Sequence, residues 1–206
     1  MFDLPPADPG IEFVLATTGI SKGLAQTEDE PQLLVRGELA FGAVYAGAYA
    51  KNVTSATSEG EAAALLGLRR KLGGFDLAGS AAWKRAIAPA QGFDKDALEM
   101  NASASRAFGR LTPKLSVVWS PDDLGSTRKT IFAEAGATYK LSDTVAFGGA
   151  VGRRERSGGV DYTAYNAGIA WAPLKPLTVD VRYYDTNRGQ AHQFAGRVVG
   201  SVRARF

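Results

Sequence analysis

The chain has 206 residues, with 24 basic and 21 acidic side chains, one histidine and no cysteine. This length suits one domain, or at most two, and the lack of thiols excludes a disulfide framework and a thiolate metal site. A formal charge of +3 is too small and too evenly spread to indicate nucleic-acid binding. We expect neither a cofactor nor a metal ion. No stretch approaches the ~18 consecutive apolar residues of a membrane helix.

The first ten residues, MFDLPPADPG, are rich in proline, which lacks the backbone N–H that a strand ladder requires. We therefore predict an N-terminal tail at 1–10 and a single domain at 11–206. The tail lacks the apolar core of a signal peptide. The chain is accordingly interpreted either as cytosolic or as the mature form of an exported protein.

From residue 11 onward, small or apolar side chains alternate with polar ones in segments of about ten residues, which indicates β-strands. The alanine-rich stretch EAAALLGLRRKL leaves a helix at 61–72 open as an alternative, because short apolar runs are ambiguous. The twelve predicted strands lie near 11–22, 31–42, 43–52, 61–72, 75–85, 96–108, 113–120, 129–141, 144–153, 161–172, 176–185 and 193–206.

The connections between these segments alternate in length. FGAVY, LGGF, FGRLTP, KLSDT and APLKP fit tight turns, whereas LAQTEDEP, NVTSATSEGE, AIAPAQGFDKD, SPDDLGSTRK, RRERSGGVD and DTNRGQAHQ are longer and polar. Outer-membrane barrels show this asymmetry, because their periplasmic turns are short and their outside loops are longer. A soluble β-sandwich gives no physical reason for short and long connections to alternate.

Aromatic side chains lie near the ends of the predicted strands, where the rings of an outer-membrane barrel meet the lipid headgroups. Strand centres instead carry small residues such as Gly79 and Ala104, where a sandwich would place its core aromatics. Phe41, Tyr45, Phe75, Phe108, Tyr139, Trp171 and Phe206 adjoin the short turns, and Tyr49, Trp83, Trp119, Tyr165 and Tyr183 lie nearer the long loops.

These patterns together predict a twelve-stranded antiparallel outer-membrane β-barrel with both termini in the periplasm. A soluble sandwich and a lipocalin-like barrel are the alternatives, but lipocalins close with eight strands. The barrel interpretation places the chain in the bacterial outer membrane, as a mature form without its signal peptide. The tail at 1–10 is then periplasmic, or it folds back into the lumen as a plug.

The last strand shows the two faces expected of such a barrel. Val202 and Phe206 alternate with Arg203 and Arg205, so the apolar set is predicted to contact lipid and the charged set to face the lumen. Closure brings the first strand beside the last strand. We therefore expect a lumenal ion pair between Glu12 and Arg205.

Charged residues on the lumenal face bear most directly on function, because charged walls tune which solutes a pore passes. Eight strands close on their own side chains and sixteen leave a pore, so twelve strands do not decide between a channel and a barrel filled by ion pairs. The excess of long cations favours anionic solutes if the lumen is open. The candidate lumen-lining residues are Arg36, Glu38, Glu99, Glu134, Asp180, Arg182, Arg197 and Arg203, and parity places Arg153 inside as well.

The predicted function is therefore a narrow passive channel for small solutes, anions among them. The alternative is a non-conducting barrel that serves as a structural or assembly partner of another cell-envelope protein. We do not predict an enzyme. GISKG at 19–23 matches the G-x-S-x-G pattern of a nucleophile elbow, but that elbow needs a strand, a sharp turn, a helix and a histidine. Here the match falls inside a predicted strand, and the only histidine is His192 in a predicted loop.

Two stretches resemble the Gcw-chp family of bacterial outer-membrane proteins. TTGISKGLAQTEDEPQLLVRGELAF is similar to the G-I-S-Q signature and short acidic loop of that family, and VYAGAYAKNV to its hairpin ending Y-A-G-x-W-A-S-N. The chain departs from the family at Lys22 for Gln, Tyr49 for Trp and Lys51 for Ser. The resemblance implies an outer-membrane barrel of unassigned biochemical function and supplies no catalytic residue.

The expected partners follow from the barrel interpretation. The terminal Phe206 resembles the C-terminal signal that the outer-membrane assembly machinery reads in many barrels. Basic clusters at 128–130 and 153–156 lie at the predicted outside rim, where cations can hold lipopolysaccharide phosphates, although water alone can solvate them. Outer-membrane lipid and another cell-envelope protein are the other expected partners. The acidic clusters TEDE and SPDD are interpreted as solvated loops rather than as cation sites.

Overall fold

Twelve long strands form one closed antiparallel barrel in the computed structural model, which describes residues 7–55 and 57–206. A 3₁₀ helix at His192–Phe194 precedes the last strand. In the described part of the chain, no helix is long and apolar enough to cross a membrane. The strands are β1 (Asp8–Ala16), β2 (Ile20–Ser21), β3 (Leu24–Ala25), β4 (Gln32–Phe41), β5 (Val44–Ser55), β6 (Ser58–Leu72), β7 (Phe75–Ile87), β8 (Asp96–Ser105), β9 (Leu111–Asp123), β10 (Arg128–Lys140), β11 (Val145–Arg156), β12 (Tyr162–Leu174), β13 (Leu177–Thr186) and β14 (Arg197–Arg205).

The barrel consists of β1 and β4 to β14, each paired with its neighbours along the chain, and it closes where β1 pairs with β14. The predicted fold class is therefore confirmed. The short strands β2 and β3 form a separate hairpin outside the barrel sheet. The alternative of a helix at 61–72 is wrong, because β6 alternates buried Ala63 and Leu65 with exposed Leu66 and Leu68.

Several strand ends differ from their predicted positions. β1 begins at Asp8, so residues 8–10 of the predicted tail belong to the barrel, and Pro9 pairs with Leu39 near the start of the strand. The same strand ends at Ala16 rather than at residue 22, and β14 begins at Arg197 rather than at residue 193. Residues 1–6 lie outside the described residues, so a periplasmic or plugging role for them stays a prediction.

The two ends of the barrel carry different connections. At one end, here called the short-turn end, β4 and β5 are joined by residues 42–43 and β6 and β7 by residues 73–74. At the other, the long-loop end, the longest connections span residues 17–31 and 187–196. The predicted long loop between β5 and β6 is wrong, since β5 runs to Ser55 and β6 starts at Ser58. The start of β1 and the C-terminal Phe206 lie at the short-turn end, where the Phe206 N–H donates to the Ile11 carbonyl at 2.9 Å.

The outward face of the barrel is apolar, as a lipid-facing surface requires. Leu66, Leu115 and Val198 are 65%, 63% and 66% exposed, respectively. Predicted girdle residues exposed near the short turns are Phe75, Phe108, Tyr139, Trp171 and Phe206, and those exposed near the loops are Trp83, Tyr165 and Tyr183. Tyr45 and Tyr49 were placed wrongly in the girdles. The first is buried, the second hydrogen-bonds Glu61, and both line a lumenal cavity.

A closed barrel gives a direct prediction for gel mobility. With no free strand edge, the folded form is compact and resists detergent, whereas boiling exposes the whole chain. Unboiled protein is therefore expected to migrate differently from boiled protein on a detergent gel. Identical mobility before and after boiling, in protein refolded into detergent micelles, would contradict closure between β1 and β14.

Candidate functional site in the barrel lumen

Residues two apart on a strand share a face, and two such pairs form ion pairs inside the barrel. On β4, Arg36 Nη2 lies 3.2 Å from Glu38 Oε2. On β13, Arg182 binds both oxygens of Asp180 at 3.2 and 3.1 Å. Arg182 also donates to the carbonyl of Gly148 at 3.1 Å, which turns its guanidinium toward β11. The spacing of two residues along one strand puts both partners of each pair on the same face.

The short-turn half of the lumen holds a charged cavity of ≈ 410 Å³. Arg69 donates two hydrogen bonds to Glu38, at 2.6 and 2.5 Å, and its guanidinium stacks 3.9 Å above the Tyr45 ring. Glu38 thereby holds Arg36 and Arg69 together at the cavity wall. Arg205 lines the same cavity. This mouth of the barrel therefore presents more cations than carboxylates.

The expected ion pair between Glu12 and Arg205 is wrong. The two residues are directly opposite each other in the β1–β14 register. However, Glu12 Oε2 lies 3.7 Å from Nε of Arg203, its diagonal neighbour. Diagonal neighbours on one sheet face are within reach of long side chains, and arginine has the length to bridge them. Closure of the barrel does place a lumenal ion pair at this seam.

Lys114 on β9 lines both of the cavities in the middle of the lumen, which measure ≈ 350 and ≈ 170 Å³. Glu134 and Arg182 line the smaller cavity, together with the glycines Gly136 and Gly148, which leave the wall flat. Within the described ranges 7–55 and 57–206, no carboxylate oxygen lies within 4.0 Å of the Lys114 ammonium. Lys114 is thus a lumenal cation without a close acidic partner.

The connection between β1 and β4, residues 17–31 and here called loop L1, folds inward at the long-loop end. Its hairpin β2–β3 turns at Lys22 and Gly23, whose φ values are 51° and 81°. Positive φ at both central residues is typical of the two-residue turn that matches strand twist. The segment GISKG therefore forms β2 and the turn of this hairpin instead of part of the first barrel strand. It has no helix, so it lacks the structure of a nucleophile elbow.

The tip of loop L1 is held by a group of buried charges, here called the latch cluster. Lys22 Nζ lies 2.6 Å from Glu99 Oε2 and 3.0 Å from Asp123 Oδ2. Lys84 lies 2.8 Å from Asp123 and 3.2 Å from Glu99. Arg154 completes the cluster at 3.1 Å from Asp123. These five side chains are 14% exposed or less.

An apolar contact secures the same hairpin. Leu24 on β3 packs into a buried cluster with Phe132, Tyr162, Ala164 and Phe194. The fully buried Tyr162 donates its hydroxyl proton to the backbone carbonyl of Lys22 at 2.7 Å. Its ring meets Phe194 edge-on, with 5.3 Å between the centroids. The hairpin is thus fixed to β10, β12 and the 3₁₀ helix as well as to the latch cluster.

Further contacts fix the returning arm of loop L1. The N–H of Thr54 donates to the carbonyl of Gln26 at 2.8 Å. Arg197 Nη1 lies 2.5 Å, and His192 Nε2 2.8 Å, from the Asp29 carboxylate. The prediction that Arg197 lines an open lumen is therefore corrected, because this guanidinium ties loop L1 to the β13–β14 connection.

Sequence reasoning missed the residues that hold loop L1. Arg153 was predicted to face inward, but it is about half exposed and lies 3.7 Å from Asp161. Its neighbour Arg154 pairs with Tyr162 across β11 and β12 and faces inward instead. Counting parity from Gly148 would have given this result, since even-numbered residues of β11 face the lumen. Lys22 was assigned to the first predicted strand and Asp123 to a solvated loop, so the sequence pattern predicted neither of them in the lumen.

The remaining predictions concern ligands and the terminus. In the described part of the chain, no group of three or more His, Asp or Glu side chains is arranged to hold a metal ion. Phe206 is 69% exposed at the short-turn end. Its role as an assembly signal stays a prediction.

The fold is that of outer-membrane porins and channels. A KdgM porin in complex with disordered oligogalacturonate is 12% identical, with a TM-score of 0.66 over 96% of this chain and 99% of that chain. A NanC porin is 7% identical, with a TM-score of 0.64 over 97% and 99%. An outer-membrane channel from Pseudomonas putida F1 is 10% identical, with a TM-score of 0.56 over 100% and 97%.

The likeness to these structures concerns the fold alone, because their sequences are 12% identical to this chain or less. No protein-family model matches the chain. No curated protein matches it.

Proposed function

We propose that this chain is a narrow passive channel of the bacterial outer membrane that passes small anionic solutes. The observation that carries the proposal is the cation-rich lumen on the short-turn side of loop L1. Lys114 lines two cavities there, and Arg36, Arg69 and Arg205 line a third. The same cavities also contain Glu12, Glu38, Glu99 and Glu134, so it is the excess of cations over carboxylates that would concentrate anionic solutes.

The structural neighbours support this reading of the lumen. All three reported above are porins or channels, and one is bound to an oligogalacturonate, a chain of sugar carboxylates. An anionic solute suits the arginines and the lysine of the present lumen, because their donors match carboxylate oxygens. Enzymatic activity is not part of the proposal.

Localisation and partners belong to the same proposal. The apolar outward face and the exposed aromatic rings support an outer-membrane location with lipid and lipopolysaccharide around the barrel. Membership of the Gcw-chp family rests on the motifs at 17–52 and is proposed on that basis. Delivery by the outer-membrane assembly machinery would use the exposed terminal Phe206.

The direct test is conductance in a planar lipid bilayer under a salt gradient. Discrete current steps are expected, with a reversal potential that shows a preference for anions over cations. A bilayer that stays silent after proven insertion of the folded barrel would rule out a channel that is open with loop L1 in place. Conductance with a cation preference would rule out the proposed class of solute.

Reversing the charge of Lys114 is expected to remove much of the anion preference. A unit charge at 4 Å contributes ~1 kcal/mol even in water, so Lys114→Glu should lower the anion-to-cation permeability ratio roughly fivefold or more. Lys129→Glu is the control, because it makes the same charge change at an exposed position near the start of β10. An equal loss of selectivity in both variants would contradict a lumenal role for Lys114.

A non-conducting barrel that serves another envelope protein is the second candidate. It is favoured by one observation, the filling of the long-loop end by loop L1 and its buried ion pairs. Co-purification of the barrel with one envelope protein at a fixed ratio, together with silent bilayers, would support this candidate over the channel.

A further inference from the structure

We propose that loop L1 is an internal gate of the barrel, docked in this structure in the closed position. Withdrawal of its β2–β3 hairpin from the lumen would open the long-loop end. This inference rests on the proposed channel function and adds the way in which that channel is regulated.

The first support is the reach of the loop across the lumen. The side chain of Lys22 contacts Glu99 on β8 and Asp123 on β9, while its carbonyl accepts a hydrogen bond from Tyr162 on β12. Gln26 accepts a hydrogen bond from Thr54 on β5. These strands lie on widely separated parts of the barrel wall. A hairpin anchored to them all crosses the lumen and obstructs the long-loop end while it is docked, leaving beside it a cavity of ≈ 180 Å³.

The second support is the charge left on the wall when the hairpin leaves. Lys51 lies 3.4 Å from Glu61, so this ion pair remains without the loop, and Lys51 loses only its 2.8 Å hydrogen bond to Gln26 Oε1. Lys84 and Arg154 likewise stay in contact with the carboxylates that Lys22 binds. The wall therefore keeps three cations and three carboxylates, Lys51, Lys84, Arg154, Glu61, Glu99 and Asp123.

This balance distinguishes a detachable latch from an ordinary structural ion pair. Removing one partner of a buried pair is costly because it leaves an uncompensated charge. Here the departing Lys22 is the cation in excess, and it gains water as the hairpin moves out. The wall carboxylates that remain are still paired with Lys84 and Arg154. The electrostatic cost of releasing the hairpin is therefore smaller than the cost of separating an ion pair whose partners have no other counter-charge.

The third support is that loop L1 is attached to the barrel at both ends and is hydrogen-bonded within itself. Loop L1 leaves β1 after Ala16 and enters β4 at Gln32, both of which are held in the barrel ladder by their mutual pairing. The hairpin between them moves as one unit, because the Gln26 N–H donates to the Gly19 carbonyl at 2.8 Å and Gly19 N–H to Thr27 Oγ1 at 2.8 Å. A unit that is ordered internally and anchored at both ends can undock without unfolding the barrel.

A reversible disulfide across the docked contact tests the gate. The backbone N–H of Thr54 donates to the carbonyl of Gln26 at 2.8 Å, so the two backbones are in contact across the docked surface, and thiol titration shows whether the introduced thiols reach the disulfide geometry. The chain has no other cysteine, so Gln26→Cys with Thr54→Cys can form only this bridge. We expect the oxidised form to carry at least tenfold less time-averaged current than the same protein after reduction.

Two controls separate the outcomes. Gln26→Cys alone should respond to neither oxidant nor reductant, and thiol titration must show that the bridge forms in the double variant. A barrel in which residues 18–30 are replaced by a short Gly-Ser linker should conduct without any redox response.

The currents of the linker variant and of the double cysteine variant distinguish failure of the channel from failure of the gate. If the linker variant inserts but is silent, the channel function fails. If it conducts with anion preference while the oxidised and reduced double variants carry equal current, the gate fails and the channel stands. If it conducts and the reduced double variant is as silent as the oxidised one, loop L1 is a fixed plug, and the reversible gate is again overturned.

Discussion

Asp123→Asn is expected to expose Lys22 to trypsin while the barrel stays folded. Asp123 accepts contacts from Lys22, Lys84 and Arg154, so its neutralisation leaves Lys22 and Lys84 to share Glu99 and removes the carboxylate that Arg154 contacts. Losing one partner of a buried ion pair costs ~3–5 kcal/mol. The cheapest relief is release of Lys22, which then reaches water. A shift of ~3 kcal/mol corresponds to a more than hundredfold rise in the undocked population.

Trypsin reports this undocking directly. Lys22 is the only lysine or arginine within residues 17–31, so cleavage after it gives one defined pair of fragments. When docking is fast relative to cleavage, the rate tracks the undocked population. Asp122→Asn is the matched control, because it makes the same charge change at an exposed neighbour. Equal cleavage of both variants would show that the latch cluster does not hold the loop.

Tyr162→Ala is expected to give the second large effect, a loss of about 3–5 kcal/mol in the free energy of unfolding. Tyr162 is fully buried and packs with Leu24, Phe132 and Phe194. Its removal leaves a cavity between loop L1, β10 and the 3₁₀ helix. Urea unfolding of the barrel in lipid vesicles, followed by tryptophan fluorescence, measures the change.

Tyr162→Phe divides that effect into its parts. The ring and its edge contact with Phe194 remain, and only the hydroxyl bonded to the carbonyl of Lys22 and to Arg154 is lost. A hydrogen bond of this kind contributes ~1 kcal/mol. A loss as large as that of the alanine variant would mean that the polar contacts, rather than the packing, hold the loop end together.

The cavities proposed for the channel and the hairpin proposed as its gate lie in different halves of the barrel. The short-turn half supplies the open, cation-lined cavities around Lys114 and Arg69. The long-loop half supplies the docked hairpin and its buried charges. Selectivity should therefore respond to changes in the first half, and the fraction of time in which current flows should respond to changes in the second.

Strand number, strand direction and the identity of most outward faces could be predicted from the sequence, because they depend on local pattern. A period of two is visible within each segment of about ten residues, and lipid on one side forces every other side chain to be apolar or small. The pairs Arg36–Glu38 and Asp180–Arg182 were predictable for the same reason. Each lies on one strand, two residues apart.

The closed end of the lumen was decided by tertiary structure alone. Lys22 meets Glu99 and Asp123 at sequence separations of 77 and 101 residues, and no local pattern relates residues so far apart. The segment GISKG alternates well enough to resemble a strand, so its turn at Lys22 and Gly23 was hidden. The misplacement of Arg153 has a different cause, because parity counted along β11 from Gly148 does place Arg154 in the lumen. The sequence thus determined the wall of this barrel, and only closure of that wall around loop L1 decided what fills it.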